Sequence, residues 1–322
     1  MKPIRAYFLG LKRIWQVKRY IGVIYLINLL LALGLGSLVG QAIYRSLGKS
    51  LAAERLVQGF DPHWYGSFSA TAQGLARTFH PAVVGIGAVF ENLNQFLTGR
   101  LFSEPGIFVW LGLLYLLVWT FFSAGFVSRF VRPDDPEGFW QSAARFMPRF
   151  VILAIMAGIG YYFLLGGVLN GLGGWIRSLT RETTDERVVF FLTLVKYLAV
   201  WILVWWLNMI FDYSRIATVY RDLRMVWLAP IEAFGLTLRH PLKTGGLYYL
   251  LGTTGLLVLL GYWMTAPGAG QSTATAVWMA FLFGQLYVIF RMGLRVWFYS
   301  SQTEMYLSLR SATNRQSKED DL

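Results

Sequence analysis

Residues 188–212 read VVFFLTLVKYLAVWILVWWLNMIFD. A single ionisable residue, Lys196, interrupts the run before Asp212 closes it. A helix rises about 1.5 Å per residue and a bilayer's hydrocarbon core is about 30 Å thick, so roughly 20 apolar residues suffice to cross it. The apolar residues here fill every face instead of one stripe, so the fitting solvent is lipid. In lipid the backbone must satisfy its own hydrogen bonds. That restricts the options to helices and closed barrels, and the lack of alternation rejects a barrel strand.

Outward from this run, five others qualify: 21–43, 106–127, 150–172, 245–264 and 276–298. The sequence therefore predicts an all-α, polytopic transmembrane helical bundle of six spans over residues 1–309. Residues 44–105 form an outer-loop insertion, and 310–322 are a polar tail expected to be disordered. The apolar stretch 82–90 is too short to cross and ends in Glu91-Asn92-Leu93-Asn94-Gln95, which predicts an interfacial or re-entrant helix. Composition agrees. The chain is 56% apolar and 14% charged, where a soluble domain carries about a quarter charged residues.

The net charge of +12 is topogenic. Of the 29 Lys and Arg residues, 20 flank the runs on the side of the two termini, 8 lie on the other side, and Lys196 is inside a span. The positive-inside rule makes the richer side cytoplasmic, which implies a plasma membrane protein with both termini inside and no nucleic-acid role. Trp175, Trp263 and Trp278 fall at outer ends, and Trp15, Trp140, Trp227 and Trp297 at inner ends, as indoles in a headgroup belt would.

The pattern also suggests three helix-span-span units. Asp134-Asp135-Pro136-Glu137 followed by Arg145-Phe146-Met147-Pro148 resembles Ala229-Pro230-Ile231-Glu232 followed by Arg239-His240-Pro241. Each predicts a short amphipathic helix opened by one Pro and stopped by the next, with Phe139, Ala143 and Phe146, or Ile231, Phe234 and Leu238, on its apolar face. Residues 5–19 offer a third such helix, with Phe8, Leu11 and Trp15. The even-numbered spans end in Phe126-Val127-Ser128-Arg129, Asp212-Tyr213-Ser214-Arg215 and Phe298-Tyr299-Ser300-Ser301, spaced by 86 residues.

The mitochondrial carriers also have three units. However, their Pro-x-Asp/Glu-x-x-Lys/Arg gate is missing and the order of elements differs, so that family is rejected. On FDYSRI (211–216), LRHPLKT (238–244) and RVWFYSSQ (295–302) the chain resembles uncharacterised six-span bacterial inner-membrane proteins. That resemblance implies a bacterial inner membrane location and no particular activity.

Ionisable groups inside spans are the first functional candidates, because hydrocarbon penalises them. Lys196 is either an anion or proton site or a side chain snorkelling to the outer interface. Arg291 and Arg295 share a helix face, with Asp212 at similar depth and Arg215 nearby. These residues form either a structural ion pair or a cationic pocket for an anionic headgroup. Asn28, Asn208 and Gln285 are expected to make interhelical hydrogen bonds, and Gly34, Gly36, Gly166, Gly167, Gly173 and Gly174 to mark close helix packing. His63 and Asp61 are too few to argue for a metal, and the three His (His63, His80, His240) all lie outside the spans. There is no Cys. The sequence implies no cofactor and contains no recognised enzyme motif.

Three functions follow in order. The first is a non-enzymatic membrane protein binding or moving an anionic or lipidic molecule, with membrane lipids as partners. The second is an assembly subunit packed against other membrane proteins or its own copies. The third is an intramembrane enzyme.

Overall fold

The computed structural model describes residues 1–48, 50–80, 106–182, 185–266 and 273–320, so the expected helix at 82–90 lies outside the described residues. The described residues are helical, without strands, and six helices are long and apolar enough to cross a membrane. In chain order the described elements are α1 (Pro3–Leu47), α2 (Ala52–Gln58), α3 (Pro62–Thr71), a 3₁₀ turn (Gly74–Thr78), α4 (Gly106–Val131), α5 (Phe139–Tyr161), a π-helical segment (Tyr162–Val168), α6 (Leu169–Leu179), α7 (Glu186–Arg221), α8 (Leu228–Arg239), α9 (Pro241–Thr265) and α10 (Ala274–Asp320). The backbone of α10 runs on through Asp320, where the polar composition suggested disorder.

Local signals set most boundaries. The Asp185 side chain accepts from the Arg187 backbone N–H at 2.9 Å and caps α7. Arg221 fills its last turn, and Asp222 ends it with a left-handed φ of 51°, a conformation a short polar side chain tolerates. Pro133 lies just past the end of α4, as expected of a residue that disfavours helix before it. His240 breaks the helix at φ −133°, ψ 52°, and Pro241 opens α9.

Two of the three expected amphipathic helices are not separate elements. Residues 5–19 are continuous with the first span in α1, and Pro148 sits inside α5 instead of ending it. A proline's missing N–H is tolerated in membrane helices where neighbouring groups satisfy the freed carbonyl. Only α8 stands alone. The expected apolar faces also diverge. Phe139, Ala143 and Phe146 are buried in the protein, whereas Ile231, Phe234 and Leu238 are exposed and it is Ala229, Ala233 and Thr237 that are buried.

The chain divides into two compact units, Met1–Val17 with Gln95–Thr253 and Leu294–Leu322, and Lys18–Asn94 with Thr254–Gly293. In the second unit Trp64, Phe68, Ala52 and Ala76 form a small cluster with Ala42, Ile43 and Leu47 of α1. The Asp61 side chain caps α3 by accepting from the His63 and Trp64 backbones, and Arg55 meets the same carboxylate at 2.6 Å. The Arg55 hydrogen bond, more than any other influence, holds the Asp61 carboxyl below its ordinary range. Asp61 is therefore occupied as a cap. Tyr25 donates to Gln285 at 3.1 Å, the interhelical bond expected of that glutamine.

The first unit holds the larger core, and on α7 it is displaced from the apolar window. The most apolar window of α7 is only 6% buried inside the protein. Its end is different: Met209, Phe211 through Ser214, and Ile216 through Val219 are all buried. At about 1.5 Å per residue this 36-residue helix outruns a hydrocarbon core about 30 Å thick. Its buried end therefore projects past the apolar stretch.

Three such ends meet. The Trp119 indole on α4 donates to the Tyr299 hydroxyl on α10 at 3.3 Å, and Tyr213 on α7 stacks against Tyr306 on α10. Ser128, Ser214 and Ser300, the 86-residue repeat positions, are all buried. The three candidate repeat helices fill the gaps between these ends. Arg13 on α1 donates to the Phe130 carbonyl on α4 and pairs with Glu304 on α10 at 2.7 Å. On α5, Phe139 packs against Phe126 of α4, and Arg149 pairs with Asp222 at the end of α7. On α8, Thr237 accepts from Trp206 of α7, and Glu232 pairs with Arg221 of α7 and with Arg310 of α10. Each candidate repeat helix thus bridges two ends, which gives the sequence repeat a physical counterpart.

The glycines invert the expectation. Gly34, Gly36, Gly166, Gly167 and Gly174 face open space. The close approaches are elsewhere: a Cβ on Gly10 would lie 2.7 Å from the Ser301 backbone, and one on Gly125 2.6 Å from the Phe139 ring. The tryptophans largely behave as an interfacial belt should, with Trp15, Trp140, Trp175, Trp227, Trp263 and Trp278 exposed. Trp297 does not. It is buried and donates to the Tyr7 carbonyl at 2.9 Å.

Candidate functional site

The only Asp within the α7 span points inward. Its neighbours on α7 and α10 determine its environment: Arg215 is one turn along the same helix, and Arg295 and Gln302 descend the facing one. The Asp212 side chain is fully buried. One carboxylate oxygen accepts from Arg215 at 2.9 Å and Arg295 at 3.3 Å, and the other from Gln302 at 3.5 Å. Two guanidinium groups therefore share one carboxylate, leaving one positive charge in excess. Arg215 keeps 15% of its side-chain surface and Arg295 keeps 33%, with its guanidinium 5.2 Å from the centre of the Tyr299 ring. Of the two arginines, Arg295 keeps the larger exposed share.

Polar groups continue around the junction. The Tyr213 hydroxyl, Gln302 Oε1, Ser301 Oγ and Ser128 Oγ are buried without a hydrogen-bond partner among the described residues. Each such group costs on the order of 1–3 kcal/mol, so the three helix ends carry unused polar capacity.

The other expected site residues separate from this cluster. Arg291 is exposed and belongs to the second unit. Lys196 is half-buried, stacks its amine over the Tyr197 ring at 4.3 Å, and opens into a cleft beside α6. Sequence reading paired Asp212 with Arg295 and Arg215 by depth and helix face. It missed Gln302, although that residue closes the quoted RVWFYSSQ stretch. It also missed the role of Asp222, on which Arg145 and Arg149 converge, because that contact joins residues more than 70 apart in the chain.

No protein-family model matches this chain, and neither a curated protein nor a solved structure matches it. The fold and composition alone define an integral membrane protein with six apolar helices of spanning length.

Proposed function

We propose that this is a non-enzymatic bacterial inner-membrane protein, with cytoplasmic termini, that binds or moves an anionic or lipidic molecule at Asp212, Arg215 and Arg295. The observation that carries this reading is the charge imbalance: two arginines on one buried carboxylate, with a third of the Arg295 side chain open. A guanidinium in excess at the end of a span attracts an anion, and its planar fork suits a phosphate or carboxylate. Asp212 and Gln302 then act as the wall that holds Arg295 in place. Orientation rests on the Lys and Arg bias, and reporters fused after Asp134 and Arg224 should face the cytoplasm; an outward reporter at either position overturns it.

The functional test is phosphatidylglycerol binding by the purified protein, counted by native mass spectrometry. Arg295→Gln should weaken one bound lipid by about tenfold, the scale of one charge-assisted contact. Unchanged binding in a folded Arg295→Gln protein rejects the site.

One observation favours the second reading, an assembly subunit. Gly36 and Gly40 stand four residues apart on α1 with open space where a Cβ would lie. Small residues at that spacing let another helix approach closely.

A further inference from the structure

The faces that α6 and α7 turn toward each other are not uniformly apolar. Gly173 and Arg177 share one face of α6, and Thr193 and Lys196 share one face of α7, by their helical spacing. These faces part around a cleft of about 370 Å³, lined by Asn170, Gly173, Arg177, Thr193, Lys196 and Tyr197 among others. That volume falls at the small end of the range, about 300–1,000 Å³, in which ligand pockets lie.

Its two cations meet at Gly173. The Arg177 Nε donates to the Gly173 carbonyl at 3.3 Å, and the Lys196 Nζ lies 3.8 Å from where a Gly173 Cβ would stand. Gly173 lies about 9 Å before the end of α6 at Leu179, at about 1.5 Å per residue. The Lys196 amine therefore turns into the seam at that level instead of reaching the helix end. It sits 4.3 Å from the centre of the Tyr197 ring, which is itself packed against the buried Leu165, Leu169 and Val200. Among the described residues neither Lys196, which is half-buried, nor Arg177, which is exposed, makes an ion pair. The acids of the α6–α7 turn, Glu182, Asp185 and Glu186, are not among the lining residues, and the Asp185 carboxylate is engaged as the cap of α7. Two like charges gathered beside one glycine repel each other until an anion lies between them, and more strongly where water is partly excluded.

From this arrangement we infer that the α6–α7 cleft binds one terminal phosphate group, with Lys196 and Arg177 on its oxygens and the bare Gly173 leaving the space it fills. A phosphate with free terminal oxygens carries about −1.5 to −2 charge at neutral pH, so it meets both cations. Its three terminal oxygens reach cations on two helices at once, and the Arg177 fork suits a pair of them. A carboxylate or a phosphodiester carries a single charge and compensates one cation only. Inorganic phosphate and the headgroup of phosphatidic acid share the required chemistry. This site is separate from the Asp212 cluster and does not depend on it.

The test offers two probes to the full-length protein purified in detergent: inorganic phosphate, followed by phosphorus NMR line broadening, and phosphatidic acid, counted by native mass spectrometry. Binding of the first marks a site for a free anion, and binding of the second alone marks a lipid headgroup site. Lys196→Gln with Arg177→Gln should weaken the bound probe by about tenfold or more, the scale of one lost charge-assisted contact. Gly173→Leu keeps both cations and suits a helix better than glycine, but it fills the space between them and should weaken the probe as much. Lys196→Arg with Arg177→Lys keeps the charges and should retain most of the binding, which separates lost charge from lost fold. Arg295→Gln should leave it unchanged, which distinguishes this site from the one at Asp212. The inference fails if the wild type binds neither probe at millimolar concentration, or if the Gln pair or Gly173→Leu binds like the wild type. It fails equally if the charge-retaining pair loses the probe as fully as the Gln pair, if Arg295→Gln removes it, or if acetate, a monoanion, displaces it as well as phosphate does.

Discussion

On helix α7 one charge, Lys196, lies inside the long apolar stretch and another, Asp212, closes it, and the protein treats them in opposite ways. Lys196 and Asp212 are 16 residues apart, or about 24 Å along the axis. Asp212 is fully enclosed and met by two arginines and a glutamine. Lys196 has a tyrosine ring beside it and an open cleft before it. The same span thus contains a charge the fold has consumed and a charge the fold has left available. Enclosure with partners marks a residue the structure needs. Exposure without a counter-ion marks one that a ligand or headgroup can use.

The strongest way to break that distinction is at Asp212. Removing one partner of a buried ion pair leaves the other uncompensated, at a cost of about 3–5 kcal/mol. Arg295 retains a third of its surface, so the low end applies, and Asp212→Asn should destabilise the first unit by about 3 kcal/mol. Thermal unfolding in detergent, followed by size-exclusion recovery, measures it. A melting temperature within a degree or two of wild type, the size of a change well under 1 kcal/mol for a chain this long, would mean the carboxylate is not what holds α7 against α10.

How far the sequence reaches follows the same division. The six spans were legible because lipid imposes a length and a composition on each helix independently. The Asp212–Arg295 pairing was legible because Asp212 closes one apolar run and Arg295 lies near the end of another at matching depth, and membrane depth acts as a shared coordinate. The amphipathic helices were only partly legible. Pro148 and Pro241 occupy matching positions in two similar stretches, yet Pro148 lies inside α5 while Pro241 starts α9. Nothing local to the two prolines separates those outcomes. The helix continues where Phe146 and Phe150, flanking Pro148, are both buried in the core. The glycines misled for a related reason: close approach depends on which partner faces the residue. Gly10 meets Ser301 across nearly the whole length of the chain. The Lys196–Arg177 cleft was invisible because it needs the registration of α6 against α7, which only the folded hairpin supplies.

Asp222 sharpens the comparison from between the two extremes. It is paired like Asp212, with Arg145 at 2.7 Å and with Arg149, but 38% of its side chain stays exposed. The Arg149 hydrogen bond, ahead of the opposing effect of partial burial, holds its carboxyl below the ordinary range, with the charges of Arg149, Arg145 and Arg132 adding to it. A carboxyl depressed in the folded state stabilises above its unfolded pKa of about 4 and loses that contribution as pH falls through the folded value. Exposed pairs are worth about 0.2–1 kcal/mol after screening. Asp222→Asn keeps a side chain that tolerates the positive φ, so it isolates the charge. Its melting temperature should sit slightly below wild type from pH 5 to 7, and the gap should start to narrow as pH falls below about 4 toward the lowered folded value. A gap that does not narrow at all between pH 5 and pH 2 would assign the effect to helix capping instead of charge.

Lys196 should give the smallest effect on stability, and that small value is informative. Its amine has no carboxylate to abandon among the described residues, so neutralising it orphans nothing. What is lost is the contact with the Tyr197 ring, worth about 0.5–1 kcal/mol at an accessible position. What is gained is relief from holding an ammonium within an apolar span, a cost of similar or larger size that snorkelling already reduces. The two oppose, and Lys196→Gln should shift unfolding by no more than about 0.5 kcal/mol, the range of a surface substitution. Measured beside Asp212→Asn in the same detergent, it sets a ratio that depends little on the membrane mimic. If Lys196→Gln unfolds the protein as readily as Asp212→Asn does, then both charges are structural, and the open cleft has no cation to spare for a ligand.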